Sequence, residues 1–479
     1  MREEKRKQLV EEKKMKNLKH DIGCRLVKIF AVVLATMPFL VCWYAVFADT
    51  IPMPFFNRGN WVIVTLFAAL YIIFARVYDA FWISVNKSAE VAYSQILAVL
   101  VADAIMYIVI WLMNRTMPDI IPCLITLVVQ VLLVTVWAHL AQRWYFASFP
   151  PAKTVVIYNH RSDVPGMFDK YNMDSKFDLQ ATMSVQECVS DLSQLDAYTA
   201  VFVCDVQSHD RNMILKYCVA KDITAYVLPR IGDIIMSGAH KMHIFHLPIL
   251  RVGRRGLLPE HAIAKRIMDI AFSLAGLILL SPVMLITAIA IKATDGGPVL
   301  YKQTRLTKNG KQFRVWKFRS MRTDAEKDGK AVLSTGEKDD RITPVGRIIR
   351  KVRIDELPQL FNVLWGQMSL VGPRPERPEI AAQYEEVLPE FRLRLQAKAG
   401  LTGYAQVYGK YNTTPYDKLQ MDLMYIANPS FLEDLRILMA TVKILFVPES
   451  TEGVGEDYNM ALGQNREERE MVGAGSNER

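Results

Sequence analysis

The sequence lacks the short motifs that identify several common classes of protein. Its six cysteines are scattered and never form a CxxC pair, so their spacing predicts neither a zinc site nor a disulfide framework. It contains no GxGxxG stretch and no cluster of basic and aromatic residues typical of nucleic-acid binding. The basic N-terminus has no small-residue cleavage site after it, which argues against a cleaved signal peptide. We therefore expect reduced thiols and neither a dinucleotide nor a nucleic-acid ligand.

Apolar residues, by contrast, are abundant. Hydrophobic residues make up 51% of the chain, and the mean hydropathy is +0.12. Four apolar segments are long enough to cross a bilayer, at residues 26–47, 61–82, 91–113 and 120–140. Basic residues in 1–25 and after the fourth segment predict that both ends of the four-span region, 26–147, face the cytoplasm. The net charge of +9 suits an anionic membrane surface or an anionic substrate.

Residues 150–255 have the alternating pattern of a soluble α/β module. Strand-like runs at 154–158, 199–205 and 224–228 are separated by helix-like stretches at 185–195 and 212–220. This order predicts a small Rossmann-like sheet. Because the glycine fingerprint is missing after the first strand, we interpret the module as regulatory or as a packing domain, without a cofactor.

A further apolar segment at residues 267–291 carries Ser281 and Pro282 near its middle. Proline removes a helical hydrogen bond and clashes with the preceding turn, so a break is expected there. Basic residues stand on both sides of the segment, and both flanks therefore favour the cytoplasmic side. This pattern favours a re-entrant helix hairpin, with a fifth membrane span as the alternative.

The sequence after this segment is rich in cations that alternate with aromatic and apolar residues. Arg305, Lys317, Arg319 and Arg341 lie in the stretches YKQTR, WKFRSM and DDRITPVGR. Such alternation indicates cations presented from a buried scaffold, and guanidinium and ammonium groups are the usual ligands of phosphate. We interpret these residues as a phosphate site, the alternative being a solvated charged face.

Two adjacent carboxylates, Asp355 and Glu356, lie between Arg350 and Arg374. The spacing of Leu357, Leu360, Phe361 and Leu364 predicts one face of a helix that begins at the acidic pair. Pro358 would lie in its first turn, and the helix would stop at Gly366. Its N-terminus would favour anions and keep an aspartate ionised. An ionised carboxylate among cations is a suitable nucleophile for phosphorus, although an ordinary helix cap is the alternative.

These motifs resemble those of the monotopic phosphoglycosyl transferases, the bacterial sugar transferase family. The resemblance is carried by KRIMD and SP at 265–282, KQTR at 302–305, KFRSM at 317–321, RKVRIDELPQLFNVLWG at 350–366, SLVGPRPE at 369–376 and GLTGYAQVYG at 400–409. It covers residues 260–447. The four spans and the Rossmann-like module resemble the long form of the family. The implied architecture is a membrane α plus α/β protein whose C-terminal catalytic domain is monotopic. The polar composition of residues 448–479 separately predicts a disordered tail.

The resemblance implies transfer of a sugar 1-phosphate from a UDP-sugar to undecaprenyl phosphate, with release of UMP, at the cytoplasmic face of the bacterial inner membrane. Asp355 would be the nucleophile, and Glu356 would steer it or share Mg²⁺ with it. Arg350 would meet the lipid phosphate, while Lys317, Arg319 and Arg374 would hold the diphosphate. The motifs do not encode the sugar. They also leave oligomeric state open, including a homodimer.

Two other functions fit the sequence less well. A non-catalytic membrane scaffold would not need the intact acidic pair and its cations. A transporter of lipid-linked sugars would need more spans with paired polar residues inside them.

Overall fold

The architecture is described from a computed structural model. It covers residues 2–445 except 53, 56, 85, 115, 160–165, 167, 169–172, 245, 255–256, 323–340 and 410–413, and gives only the backbone of 2–19, 57, 295, 443 and 445. The predicted disordered tail at 448–479 lies outside these residues. The chain divides into two compact units, Met1–Pro229 and Arg230–Arg479.

The first unit begins with apolar helices. They are α1 (Arg2–Cys42, continued by a π-helical turn at Trp43–Phe47), α2 (Asn57–Val77), α3 (Ser88–Asn114) and α4 (Ile121–Ser148). All four are long and apolar enough to cross a membrane. Helix α2 ends earlier than the predicted 82, since Asp79 adopts a left-handed backbone with φ of 55° and the chain turns there. The membrane crossings themselves remain a prediction.

The α/β part of the first unit contains a parallel sheet. Its strands are β1 (Ala152–Tyr158), β2 (Phe177–Ser184), β3 (Ala200–Cys204) and β4 (Thr224–Val227), in the order β2-β1-β3-β4. The three predicted strands are confirmed. Strand β2 was missed because only its two ends carry buried apolar residues. Helices α5 (Val185–Ser190) and α6 (Ser208–Ala220) accompany the sheet. The mixed helical and α/β architecture is therefore confirmed.

The second unit begins with α7 (Ile231–Ser237) and a hairpin of β5 (His240–Ile244) and β6 (Leu247–Arg251). Residues from 230 onward had been assigned to the α/β module that ran to 255. Ile234 is 2% exposed and packs with Leu419 and Leu423, which belong to a later helix of the same unit.

Helix α8 (Pro259–Asp295) is continuous, and Ser281 and Pro282 lie inside it rather than between two helices. Proline at 282 has no N–H for the carbonyl of Ile278, and the Ser281 hydroxyl donates to that carbonyl at 2.8 Å instead. The helix survives the proline because serine supplies the missing bond. A re-entrant arrangement is not confirmed by this geometry and remains a prediction.

The rest of the second unit is built from short elements around α8. Its strands are β7 (Leu300–Leu306), β8 (Gln312–Phe318), β9 (Ser369–Val371) and β10 (Gly400–Thr402), in two two-stranded sheets. Its helices are α9 (Pro344–Lys351), α10 (Gln359–Leu364), α11 (Pro378–Val387), α12 (Tyr404–Tyr408), α13 (Pro415–Ala427) and α14 (Phe431–Leu445). Val315, Val363, Met368 and Ile437 form the centre of its core.

Candidate active site

Asp355 and Glu356 lie in a 3₁₀ turn, Ile354–Glu356, between helices α9 and α10. Arg353 opens the turn in a left-handed conformation with φ of 55°, and Pro358 caps the six-residue α10. The predicted helix that begins with the acidic pair is therefore wrong, although it ends as expected before Gly366 at φ 77°. The macrodipole of a long helix cannot account for an ionised carboxylate here, so neighbouring cations must do so.

Glu356 is held by two of the predicted cations. Its Oε1 accepts from Lys317 Nζ at 2.7 Å and from Arg374 Nη2 at 3.2 Å. Burial by itself would raise the pKa of the carboxyl, but the Lys317 ammonium and the Arg374 guanidinium outweigh it and hold that pKa well below its usual range. Glu356 is thus a permanent anion engaged in fixed contacts.

Asp355 has a different environment. Burial and the neighbouring Glu356 charge raise its pKa to about 6, against the opposing effect of Lys317, Arg350 and Arg374. Glu356 is bonded to Lys317 and Arg374, whereas in the described part of the chain the carboxylate of Asp355 has no such hydrogen bond or ion pair. At neutral pH Asp355 is therefore ionised for the most part and available to react.

Strand β8 and the turn share an anchor in Asn362, which is fully buried on α10. Its Oδ1 accepts from the Trp316 N–H at 3.0 Å, and its Nδ2 donates to the Arg314 carbonyl at 2.9 Å. These bonds lock the strand that carries Lys317 against the helix that follows the acidic pair. The position of the ammonium relative to Glu356 is set by backbone contacts rather than by the flexible lysine chain alone.

Arg374 stands on a loop that is pinned at both sides. The Gly372 N–H donates to the Thr402 carbonyl, and the Gly400 N–H donates to the Pro373 carbonyl, both at 2.9 Å. A Cβ on Gly372 would collide with the Lys398 carbonyl, so only glycine permits this approach. The prolines on either side of Arg374 restrict φ, which lowers the entropy lost when its guanidinium binds.

Arg305 supports this loop from beneath. Its Nη1 donates to the Pro375 carbonyl at 3.0 Å, and its Nη2 donates to Gln303 Oε1 at 2.6 Å. Burial lowers the pKa of its guanidinium to about 10. The structure thus places Arg305 on the backbone of the Arg374 loop, and its direct contact with phosphate remains a prediction.

Arg394 and its acidic partners are site residues that sequence reasoning missed. Arg394 is 5% exposed, donates to the Arg374 carbonyl at 3.0 Å and pairs with Asp422 at 2.7 Å and with Glu376 at 3.4 Å. The sequence places Arg394 and Asp422 in separate helical stretches, and nothing in their spacing joins them. Arg394, Asp422 and Glu376 thus form a buried group of charged side chains that packs against the loop carrying Arg374.

The remaining predicted cations are placed as follows. Arg350 lies in the last turn of α9 and lowers the pKa of Asp355. Arg319 is 8% exposed, and its guanidinium packs against Gly297, just beyond α8. Arg341 lies at the edge of the undescribed segment 323–340, where its carbonyl accepts from the Arg322 N–H. Contact of these three with substrate remains a prediction.

The acidic pair also offers carboxylate oxygens, the ligand type that Mg²⁺ prefers. Among the described residues no group of three or more His, Cys, Asp or Glu side chains could form a preformed cage. Mg²⁺ is commonly bound by one or two carboxylates together with water and substrate phosphates. The donors present fit an ion that binds jointly with a diphosphate.

Sequence comparisons agree with the motifs. The family described as "Bacterial sugar transferase" matches residues 260–448. The chain is 36% identical over 253 residues to a UDP-N-acetylgalactosamine-undecaprenyl-phosphate N-acetylgalactosaminephosphotransferase of Aeromonas hydrophila, which covers 52% of this chain and 59% of the relative. It is 44% identical over 191 residues to a UDP-glucose:undecaprenyl-phosphate glucose-1-phosphate transferase of Klebsiella pneumoniae, over 39% of this chain and 41% of the relative.

These two alignments span about half of each relative. A third relative, the exopolysaccharide production protein PSS of Rhizobium leguminosarum bv. phaseoli, is matched over 98% of its own length and 40% of this chain, at 44% identity over 201 residues. This nearly complete match agrees with the motifs and with the acidic pair described above. The chain therefore belongs to the bacterial sugar transferase family.

Proposed function

We propose that this protein transfers a sugar 1-phosphate from a UDP-sugar to undecaprenyl phosphate, releasing UMP. The observation that carries the proposal is the unequal treatment of two adjacent carboxylates: Glu356 is engaged by Lys317 and Arg374, while Asp355 is left to react. Two relatives are named for the same type of transfer to undecaprenyl phosphate.

Asp355 is the nucleophile of the proposed reaction. Its carboxylate oxygen attacks the sugar-linked phosphorus, and the bond from that phosphorus to the bridging oxygen breaks, so that UMP departs with the electron pair. The phosphate oxygen of undecaprenyl phosphate then attacks the same phosphorus and displaces the Asp355 carboxylate. Two displacements at one carboxylate give ping-pong kinetics and a covalent phosphosugar-enzyme intermediate.

The surrounding cations supply most of the remaining catalysis. Phosphoryl transfer depends on charge neutralisation and positioning rather than on further covalent chemistry. Arg374 and Lys317 are held by Glu356 at a fixed position next to Asp355, so their charges need little rearrangement when a diphosphate arrives. Mg²⁺ held by Asp355, Glu356 and the diphosphate would neutralise charge on the departing UMP.

Contacts of α8 support a membrane-surface location for this site. Near its N-terminal half, Gly276 approaches Leu360, and near its C-terminal end Ile291 is buried with Phe318 and Ile349. Both halves of the helix thus contact one small domain. The opposite face of the helix is apolar and exposed along its length, at Ile263, Ile267, Leu274, Ile278, Leu285 and Ile289. Because both halves contact the same domain, this arrangement supports a helix held on the side of the membrane where that domain lies, and re-entry by that face would in addition require a bend at Pro282.

Relatives are named for N-acetylgalactosamine, glucose and galactosyl transfer, so the identity of the transferred sugar has to be determined by experiment. Membranes containing the protein are incubated with undecaprenyl phosphate and radiolabelled UDP-glucose, UDP-galactose or UDP-N-acetylhexosamines, with Mg²⁺ or with a chelator. We expect labelled lipid and UMP from one sugar class, and loss of both products with the chelator. If none of these donors releases UMP, the non-catalytic scaffold replaces this proposal.

A further inference from the structure

Helices α1 and α4 pack antiparallel with a register that can be read from their polar contacts. Gln130 Nε2 donates to the Ala35 carbonyl at 2.8 Å, and Trp137 Nε1 donates to the Val27 carbonyl at 3.2 Å. A move of eight residues back along α1 thus matches a move of seven residues forward along α4, so the two helices keep nearly the same register between these contacts. The fully buried Ala35 at this seam is small enough to let the backbones approach closely.

The same register brings two cysteines together. Moving seven residues, or two helical turns, along α1 from Ala35 leads to Cys42, and moving seven back along α4 from Gln130 leads to Cys123. This register sets the two side chains opposite one another where α1 packs on α4, and both thiols are free in the structure. Both cysteines are partly exposed, so a small reagent can reach them.

The pair lies near the ends of the two helices that are opposite to the basic N-terminus. The basic flanks predict that this end lies outside the cytoplasm, in a compartment where disulfides form and persist. We propose that Cys42 and Cys123 are a modification site, oxidised to a disulfide that joins α1 to α4 across about 80 positions of the sequence.

The chemistry is ordinary thiol–disulfide exchange. One cysteine thiolate attacks a disulfide of an exchange partner, and the second then attacks the resulting mixed disulfide. The two cysteines lose two protons and two electrons in total, and the partner disulfide is reduced to two thiols. The protein gains a covalent link within the bundle, which restricts the unfolded chain.

Two other cysteines provide an internal comparison. Cys188 and Cys218 share one cluster in the α/β part of the first unit, and both are fully buried. A disulfide reagent cannot reach them without unfolding, whereas it can reach Cys42 and Cys123. Selective oxidation of the α1–α4 pair is therefore the distinguishing expectation.

The test uses the full chain in lipid nanodiscs equilibrated with an oxidising glutathione buffer. Free thiols are blocked with N-ethylmaleimide under denaturing conditions, disulfides are reduced, and the new thiols are labelled with iodoacetamide before peptide mass spectrometry. We expect iodoacetamide, which marks thiols released from a disulfide, on Cys42 and Cys123 in equal amounts. N-ethylmaleimide, which marks thiols that were free, is expected on the other cysteines, Cys24, Cys188, Cys204 and Cys218. Maleimide on both Cys42 and Cys123 overturns the proposal.

A matched variant tests the register. In Cys42→Ser/Val41→Cys the thiol moves to a position that is 62% exposed and lies about 100° round the helix. We expect no link to Cys123 in this variant, and an equal yield of disulfide would contradict the pairing. The measurement is the mass of the cysteine-containing peptides, so a negative result for the disulfide does not depend on whether the protein transfers sugar.

Discussion

Asp355 and Glu356 are neighbours in the sequence, yet their carboxyl groups have opposite shifts in pKa. Both are partly buried, which disfavours charge, but only Glu356 receives direct bonds from Lys317 and Arg374. Those bonds lower the pKa of Glu356, and its fixed negative charge then adds to the burial that raises the pKa of Asp355 to about 6. One residue is the anchor of the cations, and the other is the group that can react.

The raised pKa of Asp355 predicts the pH dependence of the donor half-reaction. The carboxylate must be ionised to attack, so kcat/KM for the UDP-sugar rises with pH through about 6 and is level above it. At pH 5 we expect roughly a tenfold loss, one pH unit below the pKa. The measurement is UMP release without lipid acceptor, because the acceptor phosphate itself titrates near pH 6.

Lys317→Gln tests the origin of that pKa. Removing the ammonium leaves less positive charge near Asp355, so the acidic limb moves to higher pH by roughly one unit. The exposed Lys311→Gln on the same hairpin serves as the control and should leave the limb unchanged. An identical pH profile for both variants would show that Lys317 does not act on Asp355.

At the residue scale, the motifs identified the acidic pair and the two cations that bind Glu356. They could not identify Arg394, since its role depends on Asp422 and on the Arg374 carbonyl, which only the fold brings near.

At the scale of elements, the error concerned the segment that contains the acidic pair. The spacing of Leu357, Leu360, Phe361 and Leu364 predicted one helical face, whereas the buried positions of α10 are Gln359, Leu360, Asn362 and Val363. Sequence periodicity over a six-residue helix is too short to fix its face. The left-handed Arg353, which separates the turn from α9, has no sequence signal.

Helix α8 is joined to the domain by a buried polar network that yields a stability prediction. Lys265 Nζ donates to Asp434 Oδ2 at 2.9 Å and to the Tyr425 hydroxyl at 3.0 Å, and Asp434 is fully buried. Lys265→Met removes the ammonium that pairs with Asp434 and leaves the Tyr425 hydroxyl at 2.6 Å and His261 Nε2 at 3.6 Å as the neighbours of that carboxylate. The substitution should cost about 3–5 kcal/mol of unfolding free energy. Thermal unfolding in detergent measures the effect.

The double variant Lys265→Met/Asp434→Leu separates charge from packing. It removes both ions, so we expect it to unfold at a higher temperature than Lys265→Met alone. If the double variant is the less stable one, packing rather than the unpaired charge explains the loss.

The membrane arrangement of helix α8 can be tested by labelling introduced cysteines. In a re-entrant helix, a cysteine placed at Thr294 faces the cytoplasm, and an impermeant maleimide added to intact cells should not label it. A cysteine at Thr50, after α1, should be labelled under the same conditions. Labelling at Thr294 comparable to that at Thr50 would support a fifth span.

At the scale of the whole molecule, we expect only the second of the two compact units to be needed for the donor half-reaction. Packing of Ile234 on Leu419 and Leu423 belongs wholly to the second unit. The fragment 230–479 should therefore retain the donor half-reaction, while 255–479 should unfold at a lower temperature because that apolar surface is exposed. Equal thermal stability of the two fragments would contradict this boundary.

The sequence predicted the order of apolar helices, parallel sheet and catalytic domain because long apolar runs and specific motifs are local signals. It could not predict the division at residue 230, since helix α7 is too short to carry a periodic signal and its place is decided by distant residues on α13. The β2 strand was missed for a related reason, its middle being mostly exposed at the edge of the sheet.

The central claim is a covalent intermediate on Asp355, and isotope exchange tests it most directly. The protein is incubated with its UDP-sugar and radiolabelled UMP in the absence of undecaprenyl phosphate. We predict that label enters the UDP-sugar with the wild type and with the exposed control Glu379→Gln, but not with Asp355→Asn. Exchange that appears only when the lipid acceptor is present, or that persists in Asp355→Asn, would contradict the account.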